Sequence, residues 1–160
     1  GVQTCALPIY VGPEVAYWGV RAVSELWKPK AIYISENGCS ADDPVNASGL
    51  VDDSDRIMYL RNYLGQFRRA AAEGYPLKGY FLWSLMDNFE WADGYGKRFG
   101  IHHVDFATQK RTPKLSALWY KELIRRNEKL DVDPEAILTF IFAPPTASNA
   151  ADPGASHAAA

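Results

Sequence analysis

Apolar residues along the chain follow two kinds of pattern. Three segments repeat apolar residues every three to four positions, which predicts helices with one buried face. Two short segments, 31–35 and 77–84, are almost continuously apolar, which predicts strands buried on both faces. The helical stripes consist of Val15, Trp18, Ala22 and Leu26, then Ile57, Leu60, Leu64 and Phe67, and finally Leu115, Leu118, Trp119 and Leu123. The predicted order of helix, strand, helix, strand, helix is typical of α/β proteins with a parallel sheet.

Residue types that favour helix ends refine this prediction. Pro13 suits the first position of the first helix, and Pro29 ends that helix. Thr112 is expected to cap the third helix and Pro113 to open it. Residues 101–106 are expected to form a short hairpin-like extension before that helix.

The two ends of the chain are expected to lie outside this architecture, which leaves 10–127 as the folded part. Residues 2–9 are the translation, in one frame, of a common short-read sequencing adapter (GTT CAG ACG TGT GCT CTT CCG ATC), so residues 1–9 are interpreted as an assembly artefact of a truncated chain. Residues 128–160 are predicted to be a low-complexity, disordered tail, because the part from Ala143 onward holds eight Ala, three Pro and no aromatic residue.

Composition and motifs limit the kinds of partner and cofactor that can be expected for this chain. The chain has 160 residues with 17 Lys+Arg and 19 Asp+Glu, which does not favour a basic surface for nucleic acid. No apolar run approaches the ~20 residues that span a bilayer, so no membrane partner is expected. His102 and His103 are adjacent and cannot face one site from a strand, and no Gly-rich phosphate loop is present. We therefore expect no metal and no cofactor.

Carboxylates and aromatic rings gather after the two predicted strands. Glu36 directly follows the first strand, at the end where α/β barrels place catalytic groups. Flat aromatic faces beside carboxylates and amides suit a carbohydrate, whose C–H faces stack while its hydroxyls need acceptors. Phe81 is expected to belong to the core, pointing inward to the helices or to the barrel. The group at the end of the second strand and in the loop after it consists of Phe81, Trp83, Asp87, Asn88, Phe89, Glu90, Trp91, Asp93 and Tyr95. The alternatives are that Glu36 is a turn residue, that Asn37-Gly38 is a turn dipeptide and that the aromatic rings are core.

Two motifs carry a resemblance to a known family. Residues 33–38 (YISENG) resemble the I-T-E-N-G nucleophile motif of glycoside hydrolase family one, the β-glucosidases and their relatives, with Ser35 in place of Thr. Residues 79–91 (GYFLWSLMDNFEW) are similar to the second signature of that family, and residues 94–101 continue it. The resemblance covers about residues 10–127.

The resemblance implies an activity and a set of roles. Glu36 is implied to be the catalytic nucleophile of a retaining β-glucosidase, which hydrolyses terminal, non-reducing β-D-glucosyl residues through a covalent glycosyl-enzyme. Glu90 is implied to accept hydrogen bonds from two hydroxyls of the β-glucoside substrate, and Trp91 to bond or stack on the same sugar. Trp83 is implied to form the platform beneath the sugar, and Phe99 to line the pocket.

One departure from the family pattern defines the implied fold. The family places its acid/base in an N-E-P motif on the fourth strand of a (β/α)₈ TIM barrel, and this sequence contains no N-E-P. A whole barrel takes ~250 residues. The resemblance therefore implies an α/β fold that is a partial TIM barrel, formed by the sixth helix and the last two β/α units, and a fragment that is inactive alone.

Three other functions remain open from the sequence. A noncatalytic sugar-binding relative would keep the aromatic residues without chemistry, and a scaffold piece would have no function. Family members that act on 6-phosphorylated sugars have a Ser where Glu90 stands, followed by a Lys and a Tyr. Lys97 matches that pattern whereas Glu90 and Phe99 do not, which favours unphosphorylated β-glucosides.

Overall fold

A computed structural model describes residues 12–126 of the chain. The helices are α1 (Glu14–Trp27), α2 (Ser54–Ala72) and α3 (Leu115–Arg126). The strands are β1 (Ile32–Asn37), β2 (Leu77–Leu82), β3 (His102–Val104) and β4 (Arg111–Pro113). The predicted order of helix, strand, helix, strand, helix is present as α1, β1, α2, β2, α3. The predictions for residues 1–9 and for the tail 128–160 lie outside the described residues.

The strands β1 and β2 form a parallel pair joined by α2, as expected for a βαβ unit. The helices α1 and α2 cover one face of this pair, which we call the helix-covered face. On that face, Ile32 and Ile34 of β1 lie beside Leu77 and Tyr80 of β2. They pack against the buried helical residues Ala16, Tyr17, Val20, Tyr63, Phe67 and Ala70.

The opposite face of the pair, which we call the open face, corrects one prediction. Both strands were expected to be buried on two sides, but Tyr33 and Phe81 are each 61% exposed. Alternation along the strand places Phe81 opposite Tyr80, away from α1 and α2. Of the two inward directions expected for Phe81, toward the helices or toward the barrel, the structure excludes the helices. The ring of Tyr33 lies over Gly79, where an added Cβ would come within 2.7 Å of a ring carbon.

The buried side of α1 was also predicted wrongly. Val15, Trp18 and Leu26 were expected to face the core, yet all three are more than half exposed. The buried residues are Ala16, Tyr17 and Val20. Apolar residues occur around much of this helix, and their spacing alone does not reveal which side meets α2 and the sheet. In α2 three of the four predicted stripe residues, Ile57, Leu60 and Phe67, are buried, and Leu64 is half-buried.

The segment before α3 forms the expected hairpin and extends it. β3 pairs antiparallel with β4, so that His102 lies opposite Pro113. Thr112 and Pro113 therefore belong to a strand, and their predicted roles as cap and first residue of α3 were wrong. The carboxylate of Asp53 takes the capping role, since its Oδ1 accepts the backbone N–H of Ser116 at 2.8 Å. No helix within residues 12–126 is long and apolar enough to cross a membrane.

Candidate active site

Glu36 and Trp83 both lie at the carboxyl edge of the β1–β2 pair. Glu36 is the penultimate residue of β1 and is exposed, and Trp83 directly follows β2. The backbone N–H of Trp83 donates to the carbonyl oxygen of Asn37 at 3.0 Å, which continues the parallel pairing past Leu82. The carboxyl ends of parallel strands meet at one edge of a sheet, and here that edge joins two of the predicted site residues.

The direction of Glu36 depends on an irregularity in β1. From Ile34 to Asn37 the strand β1 advances three residues, while its partner β2 advances two, from Tyr80 to Leu82. One extra residue in β1 is a β-bulge, which reverses the alternation of side chains. Strict alternation from Ile34 would turn Glu36 toward the helix-covered face. Because of the bulge, the side chain of Asn37 points to the helix-covered face, where it meets Tyr59 and Tyr80, and Glu36 falls on the open face.

Gly38 fits a backbone contact that no other residue would allow. A Cβ at this position would lie 1.7 Å from the carbonyl oxygen of Trp83. The dipeptide Asn37-Gly38 is therefore more than a turn signal, because it lets the chain after Glu36 run directly against the chain after β2. Asn37 is in turn held by two tyrosines, Tyr59 and Tyr80, which the sequence reasoning missed.

Glu90 is linked to the same edge through Trp83. The indole Nε1 of Trp83 donates to Oε1 of Glu90 at 3.2 Å. The backbone of Glu90 is fixed by its own N–H, which donates to the carbonyl oxygen of Gly94 at 2.6 Å, in a tight loop that contains a single 3₁₀ turn, Trp91–Asp93. Glu36, Trp83 and Glu90 thus follow one another along the carboxyl edge.

Trp91 and Phe99 belong to the same loop region. Trp91 is 84% exposed. Its φ of 38° is a left-handed backbone conformation that residues other than glycine rarely adopt. Phe99 is half-buried, and its carbonyl oxygen accepts the N–H of Ser84 at 3.1 Å. Phe99 is therefore tied to the edge through its backbone, and the roles of both residues as sugar contacts remain predictions.

Six charged residues, five of them buried, form connected ion pairs next to the loop that carries Glu90. We call this group the charge network. Lys114 donates to Asp43 at 2.5 Å and to Asp87 at 2.7 Å. Arg56 pairs with Asp43 at 2.6 Å and also with Asp53. Three positive and three negative groups balance, and all but Arg98 are buried. The members are Asp43, Asp53, Arg56, Asp87, Arg98 and Lys114.

Asp87 belongs to this network rather than to a sugar-binding surface. Its carboxylate accepts from Lys114 and Arg98 and from the backbone N–H groups of Gly100 and Val104. Burial alone would raise the pKa of Asp87, but the hydrogen bonds from Lys114 and Arg98 hold it below the usual value. Burial dominates at Asp53 and raises the pKa of that carboxyl. The grouping of Asp87 with the sugar-contacting residues was therefore wrong.

Other polar residues near the edge offer no competing chemistry. Burial raises the pKa of the Cys39 thiol to about 11, which keeps it protonated and poorly nucleophilic at neutral pH. Lys97 pairs with Asp42 at 2.9 Å on the surface. Within residues 12–126, no group of three or more His, Cys, Asp or Glu side chains could hold a metal ion.

Comparison with known proteins places this geometry in a family. The chain matches the sequence model of glycosyl hydrolase family 1 over residues 3–129. It is 52% identical to β-glucosidase A of Thermotoga maritima over 115 residues, which cover 72% of this chain and 26% of the relative. It is 52% identical to a 1,4-β-D-glucan glucohydrolase of Thermotoga neapolitana over 119 residues, covering 74% of this chain and 27% of that protein.

Solved structures agree with the sequence matches. The family 1 β-glucosidase from Thermotoga maritima superimposes with a TM-score of 0.72 at 51% identity, over 73% of this chain and 26% of that chain. The same enzyme in complex with deoxynojirimycin matches with the same TM-score and identity. The predicted α/β class and the partial TIM barrel are confirmed.

The matched proteins are much longer than this chain, which spans about a quarter of their length. The family resemblance drawn from residues 33–38 and 79–91 is confirmed by the sequence model and by the relatives. On its sequence and its fold, the chain belongs to glycosyl hydrolase family 1.

Proposed function

We propose that this chain is the C-terminal part of a retaining β-glucosidase and that Glu36 is the nucleophile of that enzyme. The observation that carries the proposal is the carboxyl edge itself. An exposed carboxylate, Glu36, lies at the same edge as Trp83, whose backbone is hydrogen-bonded to Asn37 and whose indole is hydrogen-bonded to a second carboxylate, Glu90. The similarity to β-glucosidase A of Thermotoga maritima supports the substrate class.

In the proposed reaction a Glu36 oxygen attacks C1 of the β-glucosyl unit. The C1–O bond to the aglycone breaks, and the aglycone oxygen takes a proton from a second carboxyl group. Water then attacks C1, the bond between C1 and Glu36 breaks, and the proton of the water returns to that second group. Retaining enzymes hold the two carboxyl groups about 5–5.5 Å apart. The second group comes from the part of the family sequence that this chain does not span.

The remaining edge residues bind the sugar in this proposal. Glu90 accepts hydrogen bonds from two hydroxyls, and Trp83 and Trp91 offer indole faces to the pyranose. Phe99 lines the pocket. Because these contacts lie away from the bond that breaks, their binding energy supports orientation at C1. The hydrogen bond from Trp83 holds one oxygen of Glu90 in place before substrate arrives.

Charge favours an unphosphorylated sugar. The Glu90 carboxylate would repel a phosphate dianion on the bound sugar. Lys97, the cation closest in sequence to Glu90 on its loop, is already paired with Asp42. We therefore propose plain β-glucosides as substrates rather than 6-phospho-β-glucosides.

A chimera tests the proposal directly. In this chimera the described part of the chain, residues 12–126, replaces the matching segment of the Thermotoga maritima enzyme, which supplies the other carboxyl group. We expect turnover of an aryl β-glucoside, and labelling of Glu36 by a 2-deoxy-2-fluoro-β-glucoside that traps the covalent intermediate. Glu36→Gln should lower kcat by roughly 10⁴–10⁶-fold, as for other nucleophile deletions.

The matched control is Glu25→Gln, which alters an exposed carboxylate paired with Arg21 on α1 and should leave turnover unchanged. A folded but inactive parent chimera, or a trapped label on another residue, would refute the proposal. Sugar binding without turnover in the parent chimera would instead support a noncatalytic relative. Faster turnover of a 6-phospho-β-glucoside than of the plain substrate would refute the substrate assignment.

A further inference from the structure

The residue after Glu36 is held unusually firmly for the end of a strand. The side-chain oxygen Oδ1 of Asn37 accepts the hydroxyl of Tyr80 at 2.9 Å, and the same hydroxyl lies 3.1 Å from the Asn37 carbonyl oxygen. The side-chain amide Nδ2 of Asn37 donates to the hydroxyl of Tyr59 at 3.0 Å. Both polar ends of this side chain are therefore occupied, one by each tyrosine.

Both tyrosines are anchored in the core between the sheet and the helices. The ring of Tyr59 stacks on Tyr63 at 4.2 Å between centroids, and the ring of Tyr80 lies 5.6 Å from Phe67. Tyr63 and Phe67 are buried residues of the core. The hydroxyls at the other ends of these rings are thus carried by rigid parts of the fold. Burial raises the pKa of both phenols, so the hydroxyls stay protonated over the neutral range.

This anchoring matters because of the β-bulge in β1. A one-residue change in the pairing of a strand moves every side chain to the other face. The extra residue between Ile34 and Asn37 must therefore stay in place if Glu36 is to remain on the open face. Bulges are known to re-aim side chains next to active sites. The contacts that keep Asn37 on the helix-covered face are the two hydroxyls.

We infer that Tyr59 and Tyr80 are positioning residues, whose hydroxyls clamp Asn37 and thereby hold the bulge that aims Glu36 at the substrate. The inference rests on the proposed role of Glu36 as nucleophile. Neither tyrosine touches the reacting atoms, since both lie on the helix-covered side and reach Glu36 only through Asn37. Loss of a hydroxyl should loosen the direction of Glu36 while leaving the sugar contacts of Glu90 unchanged.

The experiment removes one hydroxyl at a time in the chimera. Tyr80→Phe and Tyr59→Phe keep the rings in the core, and Tyr75→Phe is the matched control because its hydroxyl bonds only the exposed Glu25, at 3.3 Å. The substrate is 2,4-dinitrophenyl β-glucoside, whose leaving group needs no protonation. The rate of the initial burst of dinitrophenolate therefore reports the attack by Glu36.

We expect Tyr80→Phe to lower the burst rate by about 10–100-fold, since small displacements of a reacting group are costly. Tyr59→Phe should have a smaller effect in the same direction, because Tyr80 still holds Asn37. The dissociation constant of methyl 1-thio-β-D-glucoside, an uncharged competitive inhibitor that is not hydrolysed, should change by less than about threefold, because its hydroxyl contacts do not require the attack geometry of Glu36. Tyr75→Phe should match the parent chimera.

The outcomes separate this inference from the proposed function. A parent chimera that is folded but inactive would refute the proposed function and the positioning role together. An active parent with unchanged burst rates in Tyr80→Phe and Tyr59→Phe would refute the positioning role alone. A fall in burst rate that is matched by weaker inhibitor binding, or by loss of the folded fraction in circular dichroism, would show a general structural role and would also refute it.

Discussion

The charge network and the carboxyl edge both contain carboxylates, which are buried and paired in the network but more exposed at the edge. In the network, Asp87 is buried and accepts four hydrogen bonds, two of them from cations. At the edge, Glu36 is exposed and has no hydrogen-bond or salt-bridge partner among the described residues. Glu90 lies between these extremes, with one oxygen held by Trp83.

This difference shows how the fold divides its carboxylates between structure and chemistry. A carboxylate that is fully paired in the interior cannot turn to a substrate, and removing a partner leaves an uncompensated charge. A carboxylate at the open end of a strand keeps its lone pairs available. The network in turn links the loop after β1, the start of α2, the loop that carries Glu90 and the start of α3. The paired carboxylates thereby hold in place the loop that follows Glu36 and the loop that carries Glu90.

The largest expected effect comes from breaking the network at Lys114. Lys114→Met leaves Asp43 and Asp87 with one cation fewer in a fully buried setting, and should lower the free energy of unfolding by about 3–5 kcal/mol. Urea denaturation of the full chain, followed by circular dichroism, measures the change. Lys97→Met is the matched control, because its exposed pair with Asp42 should contribute little to stability. Similar losses in the two variants would contradict the distinction between network and surface.

The pH dependence of stability tests the network a second way. The pKa of Asp87 is lowered in the folded chain, so its stabilising contribution is complete above the ordinary Asp pKa of about 4 and is lost as the pH falls through the folded value. Asp87→Asn cannot titrate. The free energy of unfolding should therefore differ most between the parent and Asp87→Asn at pH 7, and the difference should shrink toward pH 2.

Urea titrations of both proteins between pH 7 and pH 2 measure this difference. Asp53 is present in both proteins, and its raised pKa acts in the opposite sense, since the folded chain binds a proton there more readily than the unfolded chain. Subtracting the two curves isolates the contribution of Asp87. A difference that stays constant over the whole range would show that the lowered pKa is wrong.

The sequence predicted the carboxyl edge better than it predicted the network. Parallel apolar strands bring their carboxyl ends together, so the neighbourhood of Glu36 and Trp83 followed from pattern alone. The network joins residues as far apart as Asp43 and Lys114, and no spacing rule connects them. Lys114 itself gave no signal, because a lysine beside the start of a helix is ordinarily exposed, and its burial appears only in the folded chain.

The faces of the elements were only partly predictable. The stripe of α2 was largely correct because most of the other residues of that helix are polar. In contrast, α1 carries apolar residues on several sides, and the prediction of its buried side was wrong. The bulge before Asn37 could not be read from the sequence either. It depends on hydroxyls from α2 and β2 that meet Asn37 only in the folded chain.

The smallest effects are expected from alanine substitutions of two glycines, Gly38 at the carboxyl edge and Gly65 on α2. Gly38→Ala forces the chains after β1 and β2 apart, because the new Cβ would meet the carbonyl oxygen of Trp83. This should lower the free energy of unfolding by roughly 1–3 kcal/mol, the usual cost of an added methyl group in a packed site. In the chimera it should also slow the dinitrophenolate burst, since Asn37 and Glu36 move with Gly38.

Gly65→Ala is the matched substitution on α2, where an added Cβ meets nothing within 4 Å. Alanine favours the helix and restricts the unfolded chain, so the free energy of unfolding should rise by about 0.5–1 kcal/mol. Urea denaturation of the full chain measures both variants, and the burst rate of the Gly65→Ala chimera should equal that of the parent. A Gly38→Ala variant that is as stable as the parent, or that gains stability as Gly65→Ala does, would contradict the close contact between Gly38 and Trp83, because an added methyl group would then act alike with and without a backbone neighbour.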